Sequence, residues 1–267
     1  MALRAVVRSL SELCITVGVL IVLFVVYLLY WTGLRADSAS DDEIARLHKQ
    51  WAAGPVDGGA PGGGTPEETG GSPSRGQDTT GDGQAGGTAE RGAASGTARG
   101  TAPGGYRSGN SFAVMYIPRF GGGWSKPVLE NTGKQTLRKG LGHYTRSAPL
   151  GAKGNFAVAG HRRTYGDPFK DFPRLRPGDP VVVTDGDTWY TYTIVARPYR
   201  TLPSDTGVLD TVPAPVDEAA TPFDRPGRYL TLTTCDPEWG SSHRLIAWGR
   251  LDATQPASEG KPDALTR

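Results

Sequence analysis

The chain has 267 residues, enough for one domain of ordinary size with accessory segments. Its 29 Lys and Arg against 27 Asp and Glu leave a net charge of +2, which argues against a nucleic-acid binder with its clustered basic face. Hydrophobic residues reach only 37%, beside 38 Gly and 21 Pro, so part of the chain is expected not to fold.

Residues 1–12 carry Arg4 and Arg8 and precede nineteen residues without a charge, Leu13 to Trp31. As a helix that run is about 28 Å long, close to the hydrocarbon thickness of a bilayer. Tyr27, Tyr30 and Trp31 gather at its far end, and Asp37, Asp41, Asp42 and Glu43 follow. The positive-inside rule then keeps 1–12 in the cytoplasm and places the rest outside, with 13–31 as a single-pass signal anchor in the cell membrane. A cleaved signal peptide would have a shorter apolar stretch and a small-residue cleavage site, which Arg35-Ala36-Asp37-Ser38 is not.

Residues 32–53 read as a juxtamembrane spacer, in which Ile44–Trp51 can continue as helix. From 54 to 109 the composition turns to Gly, Thr, Ala, Ser and Pro. That stretch holds 19 of the 38 Gly and almost no large apolar side chain, so it is expected to be a disordered linker. As a flexible coil its mean end-to-end distance would be on the order of 40 Å, the reach of a tether.

Residues 110–253 alternate short apolar runs with turn residues. Ser111–Ile117, Asn155–Gly160, Pro180–Thr184, Thr188–Ala196, Tyr229–Cys235 and Leu245–Leu251 read as strands, with a hairpin signal at Asp185-Gly186-Asp187. No stretch sustains a helical period, although Asp167–Leu175 has room for a turn or two. The pattern predicts an all-β barrel or sandwich, followed by a loose polar tail over 254–267. The loops Phe120–Trp124 and Leu202–Asp224 are expected to rim a binding groove.

Only two cysteines occur, Cys14 inside the apolar run and Cys235 at the end of a strand. An unpaired thiol in an extracytoplasmic domain is a candidate for reactivity. Such a residue is also often a small buried hydrophobe, so the rival reading is a non-catalytic, membrane-anchored β-barrel adaptor with a structural thiol. His161, in Gly160-His161-Arg162, also follows an apolar strand, and Arg244 opens the last one. His48 lies in the spacer and His143 in a loop, while His243 adjoins Arg244, so spacing alone does not choose between His161 and His243 as partner to the cysteine. One cysteine and scattered histidines do not make a zinc ligand set, and no acidic cluster suggests calcium. No metal or cofactor is expected.

Five segments resemble the sortase family in order and spacing. They are Ile117-Pro118-Arg119, Gly140-Leu141-Gly142-His143-Tyr144, Asn155 to Arg162, Leu232-Thr233-Thr234-Cys235 and Arg244 to Trp248. The apolar anchor, the linker and the Gly-His-Tyr and Gly-His-Arg elements are most similar to class E sortases of high-GC Gram-positive bacteria. The resemblance implies an eight-stranded closed β-barrel of sortase type with short helical turns, behind a transmembrane helix and a linker. It implies a cysteine transpeptidase with Cys235 as nucleophile, His161 as acid and base, and Arg244 on the substrate carbonyl. Such an enzyme would cut a Leu-Ala-x-Thr-Gly-like C-terminal sorting signal between Thr and Gly. It would join the Thr to an amine of a peptidoglycan stem peptide or its lipid-linked precursor, fixing surface proteins to the cell wall. Tyr144 is expected either to favour the small Ala of the signal or simply to pack on the barrel, and Thr234 to shape the groove.

Relatives often place histidine after the cysteine. This chain has Asp236, which is expected to face solvent because an inward carboxylate would disfavour the thiolate. A pilus-polymerising sortase is an alternative within the family. An L,D-transpeptidase would be expected to show Ser-x-Gly-Cys-x-Arg, which Thr233 to Pro237 does not match.

Overall fold

The computed structural model describes residues 2–53 and 105–266, with side chains in the N-terminal helix described over 12–27 and from 38 onward. Residues 54–104 of the expected linker lie outside the described residues.

Nine strands follow the N-terminal helix α1 (Ala2–Ala52): β1 (Ser111–Tyr116), β2 (Ser125–Glu130), β3 (Leu141–His143), β4 (Gly154–Ala159), β5 (Pro180–Thr184), β6 (Thr188–Ile194), β7 (Tyr199–Thr201), β8 (Arg228–Asp236) and β9 (His243–Pro256). They are ordered β6-β5-β1-β2-β3-β4-β8-β9-β7, and β6 also pairs with β9. That last pairing closes eight strands into a barrel, the closure that the family resemblance implies, and leaves β7 as a short strand beside β9. Closure removes the free edges that an open sheet would expose.

The six strands read from alternation are all present. The three that were not read are β2, β3 and β7. β2 carries Lys126, Pro127 and Glu130, a composition that argues against a strand. It is tolerated because β3 pairs only with Val128–Glu130, so Pro127 sits where β2 has no partner on that side. β3 and β7, at three residues each, are too short to show a period.

One face of each strand fills the barrel. Met115, Phe156, Val158, Val183, Tyr192, Leu230, Leu232 and Ala247 belong to a single buried cluster. Leu230 and Leu232 point inward, so by the two-residue period Thr231, Thr233 and Cys235 point outward. On that outer face Ile246 and Trp248 of β9 form a second small cluster with Val208.

Two boundaries differ from expectation. The folded region begins by Tyr106, whose ring stacks on Phe112 at 3.7 Å between centroids. The ring is joined there by backbone bonds, Gly109 N to Glu130 O at 2.8 Å and Glu130 N to Asn110 O at 3.0 Å. At the other end β9 runs on to Pro256, with Thr254 opposite Tyr190 and Gln255 opposite Trp189. Polar residues predict a loose tail, but here the backbone ladder holds them, and Gln255 Nε2 donates to the Gly260 carbonyl at 3.0 Å.

α1 is one continuous helix, longer than the expected anchor. From Leu13 to Tyr27 its large apolar side chains are exposed. No helix among the described residues is long and apolar enough to cross a membrane, and residues 28–31 of the uncharged run are among those whose side chains are not described. Further on, Ser40 and Leu47 are buried against the barrel, with Glu43, Ile44 and Trp51 partly covered, a 3.6-residue stripe. Glu43 accepts hydrogen bonds from Ser111 at 2.8 Å and Lys139 at 3.3 Å. Burial pushes the Glu43 carboxyl up, but hydrogen bonds from Arg46 and Ser111 and the nearby cations outweigh it and leave it below its usual range. Gly186, in the β5–β6 turn, combines φ of 100° with a close approach: a Cβ there would meet the Trp51 ring at 2.4 Å.

Candidate active site

β4 and β8 run parallel, with Ala159 opposite Thr233. The chain leaving β4 therefore carries His161 level with Cys235. β9 lies antiparallel on the other side of β8, with Arg244 directly opposite Cys235. Residues directly opposite share a face of the sheet. The three residues thus stand at neighbouring positions on adjacent strand ends; His161 and Cys235 share a cavity there, which Arg244 does not line.

A cavity of about 250 Å³ is lined by His161, Arg162, Arg163, Cys235, Glu238 and Trp239, among others. Cys235 is partly exposed within it. Burial lowers the His161 pKa below its ordinary value, and the cationic Arg138 adds to the effect. Arg138 lies over the Tyr165 ring at 5.1 Å, and that ring is 5.2 Å from the imidazole. Arg244 donates from Nη1 to the carbonyls of Ser241 and His243, both at 2.9 Å. One of its three nitrogens thus anchors the β8–β9 loop, and its planar fork carries further donors.

His161 and His243, which spacing left equal, are separated here. His243 is opposite Asp236, on the other face of the ladder, and its Nδ1 meets Ser242 Oγ at 3.0 Å. His143 is buried, with Nδ1 2.7 Å from Glu130 Oε2, and is a core residue.

Tyr144 lines a different and larger cavity, about 490 Å³, with Arg146, Asn155, Leu209, Asp210 and Thr211 among its walls. Its hydroxyl lies 3.0 Å from Thr233 Oγ1. Thr233 shares the outer face with Cys235, so the two cavities lie along the same strand pair. Of the expected rims, Leu202–Asp224 supplies Thr206 and Leu209 to this cavity. Phe120–Trp124 does not line either cavity: both aromatics pack on the core cluster, and Trp124 Nε1 donates to Pro168 O at 3.1 Å. Large aromatic rings gain more from burial than a loop reading allows for.

Thr234 points away from the groove. It is buried, and its hydroxyl donates to the Gly160 carbonyl at 2.9 Å, next to His161. Strand alternation, applied from Leu232, would have placed it inside. Asp236 does not face solvent as expected. Its side chain is only 16% exposed and is held between Arg162 and Arg200, with Arg200 Nε at 2.7 Å. Burial pushes its carboxyl up, but bonds from Arg200 and Arg162 outweigh that and hold it below its usual range. Neither arginine's pairing with Asp236 is visible in the sequence, because Arg162 and Arg200 lie on segments far from it along the chain.

A thiol and an imidazole in one cavity, with a guanidinium in register, suit acyl transfer through a covalent thioester. The sortase domain family matches residues 115–252. Sortase SrtE1 of Streptomyces coelicolor is 34% identical over 97% of this chain, which spans 60% of that relative's length. The structure of sortase E from Streptomyces avermitilis is 62% identical with a TM-score of 0.55, covering 60% of this chain and 99% of its own. The crystal structure of sortase E1 from Streptomyces coelicolor, solved with a tripeptide in its active site, is 41% identical with a TM-score of 0.54, over 59% of this chain and 97% of its own. The chain belongs to the sortase family of cysteine transpeptidases, and sortase E proteins of Streptomyces are among its relatives.

Proposed function

We propose that this chain is a class E-like, membrane-anchored sortase that joins surface proteins to cell-wall peptidoglycan. The observation that carries the reading is the shared cavity of Cys235 and His161, with Arg244 opposite the cysteine on β9. A tripeptide occupies the active site of the Streptomyces coelicolor sortase E1 structure, which supports a peptide as ligand of the same region.

In this reading Cys235 passes its thiol proton to His161, and the thiolate attacks the carbonyl carbon of Thr in a Leu-Ala-x-Thr-Gly-like signal. Arg244 donates to the oxygen as it becomes an oxyanion; its charge does not depend on pH in any relevant range. The C–N bond to Gly breaks, His161 gives its proton to the leaving amine, and a thioester remains on Cys235. An amine of a peptidoglycan stem peptide or its lipid-linked precursor then attacks the thioester. His161 takes the proton from that amine, the C–S bond breaks, and the thiolate returns. No cofactor enters the scheme.

The sorting signal would lie along the outer face of β4 and β8. Residues N-terminal to its Thr would reach the larger cavity, where Tyr144 is positioned to select the small Ala. Thr234 contributes indirectly, by holding the backbone before His161. The exposed apolar side chains of Leu13–Tyr27 support the anchor reading, with residues 1–12 cytoplasmic and the barrel outside.

Trapping tests the nucleophile. Incubated with the signal peptide and no acceptor, the protein should gain the mass of a peptide acyl group on Cys235, and Cys235→Ala should gain none. An adduct that persists in the alanine variant would end this assignment.

A further inference from the structure

The residues that directly follow His161 and Cys235 are paired with each other. Arg162 forms an ion pair with Asp236, and their side chains are 11% and 16% exposed, so solvent weakens the contact little. Arg162 Nη1 also reaches the Cys235 carbonyl oxygen at 3.5 Å. From the opposite side, Arg200 on β7 donates from Nε to Asp236 Oδ2 at 2.7 Å. One carboxylate thus holds three segments at the mouth: the chain leaving β4, the end of β8, and β7.

β4 itself ends at Ala159, so His161 sits two residues beyond the regular ladder. The last backbone bond across this gap is from Gly160 N to Thr233 O at 3.1 Å, joined by the Thr234 hydroxyl bond to Gly160 O. Past that point the histidine-bearing chain is tied to the cysteine-bearing strand by the Arg162–Asp236 pair, and one residue further on Arg163 pairs with Glu238 in the loop after β8. A histidine after Cys235 could not accept from two guanidinium groups, whereas a carboxylate can.

We propose that Arg162 and Asp236 are positioning residues for the transpeptidation: their ion pair clasps the strand ends that carry His161 and Cys235 and sets the spacing between them, with Arg200 bracing Asp236 from β7. The inference rests on Cys235 being the nucleophile. Because Arg162 lines the same cavity as Cys235 and Asp236 adjoins the cysteine in the chain, changing one member also changes the local charge. The titratable and charged groups around Cys235 are His161, Arg162 and Arg163 after β4; Asp236 and Glu238 at the end of β8; Arg200 on β7; and His243 and Arg244 on β9. Arg163 is already matched by Asp167 and Glu238, and it lies over the Trp239 ring.

The test measures alkylation of Cys235 by iodoacetamide at pH 7 in the full chain. The Cys235 peptide is followed by mass spectrometry so that Cys14 does not interfere. kcat and KM for peptide transfer are measured on the same samples. Arg162→Ala leaves a less compensated carboxylate beside the thiol, and alkylation should slow about threefold or more. Asp236→Asn leaves two cations, and alkylation should speed up by a similar factor. The double variant should return to near the wild-type alkylation rate. All three should lose kcat by about tenfold or more at little-changed KM, since the gap is no longer fixed. Arg162→Lys keeps the cation without the planar fork, and should alkylate like wild type while recovering only part of kcat.

Alkylation that moves in the same direction for both single variants would show general loosening and overturn the proposal, as would a double variant with full kcat. Should wild-type protein alkylate yet transfer nothing, the proposed function fails on its own, while alkylation of the two single variants in the same direction would separately overturn the clasp.

Discussion

Replacing Gly160 with alanine should displace His161 without unfolding the barrel. A Cβ at Gly160 would lie 2.6 Å from Phe169 Cδ2 and 2.8 Å from Leu141 Cδ2. Carbon atoms prefer about 3.5–4.0 Å, so something must move by about 1 Å. Phe169 has little room to retreat, since it is fully buried with Phe172 at 5.3 Å and Trp124 at 6.3 Å between ring centroids. The easier movement is of the chain at 160–161, which carries the imidazole. Overpacking of this kind costs about 1–3 kcal/mol, which lowers Tm by about 2–12 °C in a domain of this size. Misplacing a reacting group by 1 Å costs about a hundredfold in rate. Thermal unfolding together with kcat/KM for peptide transfer reads both effects. Adding Phe169→Leu, which withdraws the ring, should restore part of the rate even though it lowers Tm further. A Gly160→Ala protein with wild-type Tm and wild-type transfer would refute this account of why glycine precedes the histidine.

Two further expectations follow from buried and partly buried polar groups. His143→Ala removes one partner of the buried Glu130 pair and should cost about 3–5 kcal/mol in urea unfolding, whereas a loss below 1 kcal/mol would mean that the pair is not what satisfies Glu130. Arg138→Ala removes a cation that depresses His161, so the imidazole pKa, followed by NMR titration, should rise toward its ordinary value. The same shift has a stability consequence. With a depressed folded pKa, His161 costs stability as pH falls below about 6.5, where the unfolded chain binds the proton first, and Arg138→Ala should reduce that loss.

The candidate groups stand out in the sequence at the ends of strands whose alternation is plain, Asn155–Gly160, Tyr229–Cys235 and Leu245–Leu251, but it is the family resemblance that joins them into one site. The choice between His161 and His243 was not legible from spacing. It depends on β4 pairing parallel with β8, a contact between segments some 70 residues apart in sequence. Alternation along β8 also carried more information than was drawn from it. It places Cys235 outside with Thr233 and sends Thr234 into the barrel, where it serves the backbone of Gly160. Asp236 was misjudged because a carboxylate beside a thiol looks unfavourable until its arginines are in view, and these come from β7 and from the chain after β4. The packing of Leu47 and Trp51 on the barrel was hidden for a different reason: their apolar stripe is short and follows directly on a much longer uncharged run.

The central claim is that Cys235 carries the acyl group between a sorting signal and an amine. The most direct test mixes the protein with a Leu-Ala-x-Thr-Gly peptide and an amine acceptor and follows the products by mass spectrometry, with Cys235→Ala in parallel. The account predicts a product cut between Thr and Gly and joined to the acceptor, formed by wild type and absent from the variant. Folded wild-type protein that forms neither a thioester nor a transfer product with several sorting motifs would contradict it, and would leave a barrel whose thiol is structural.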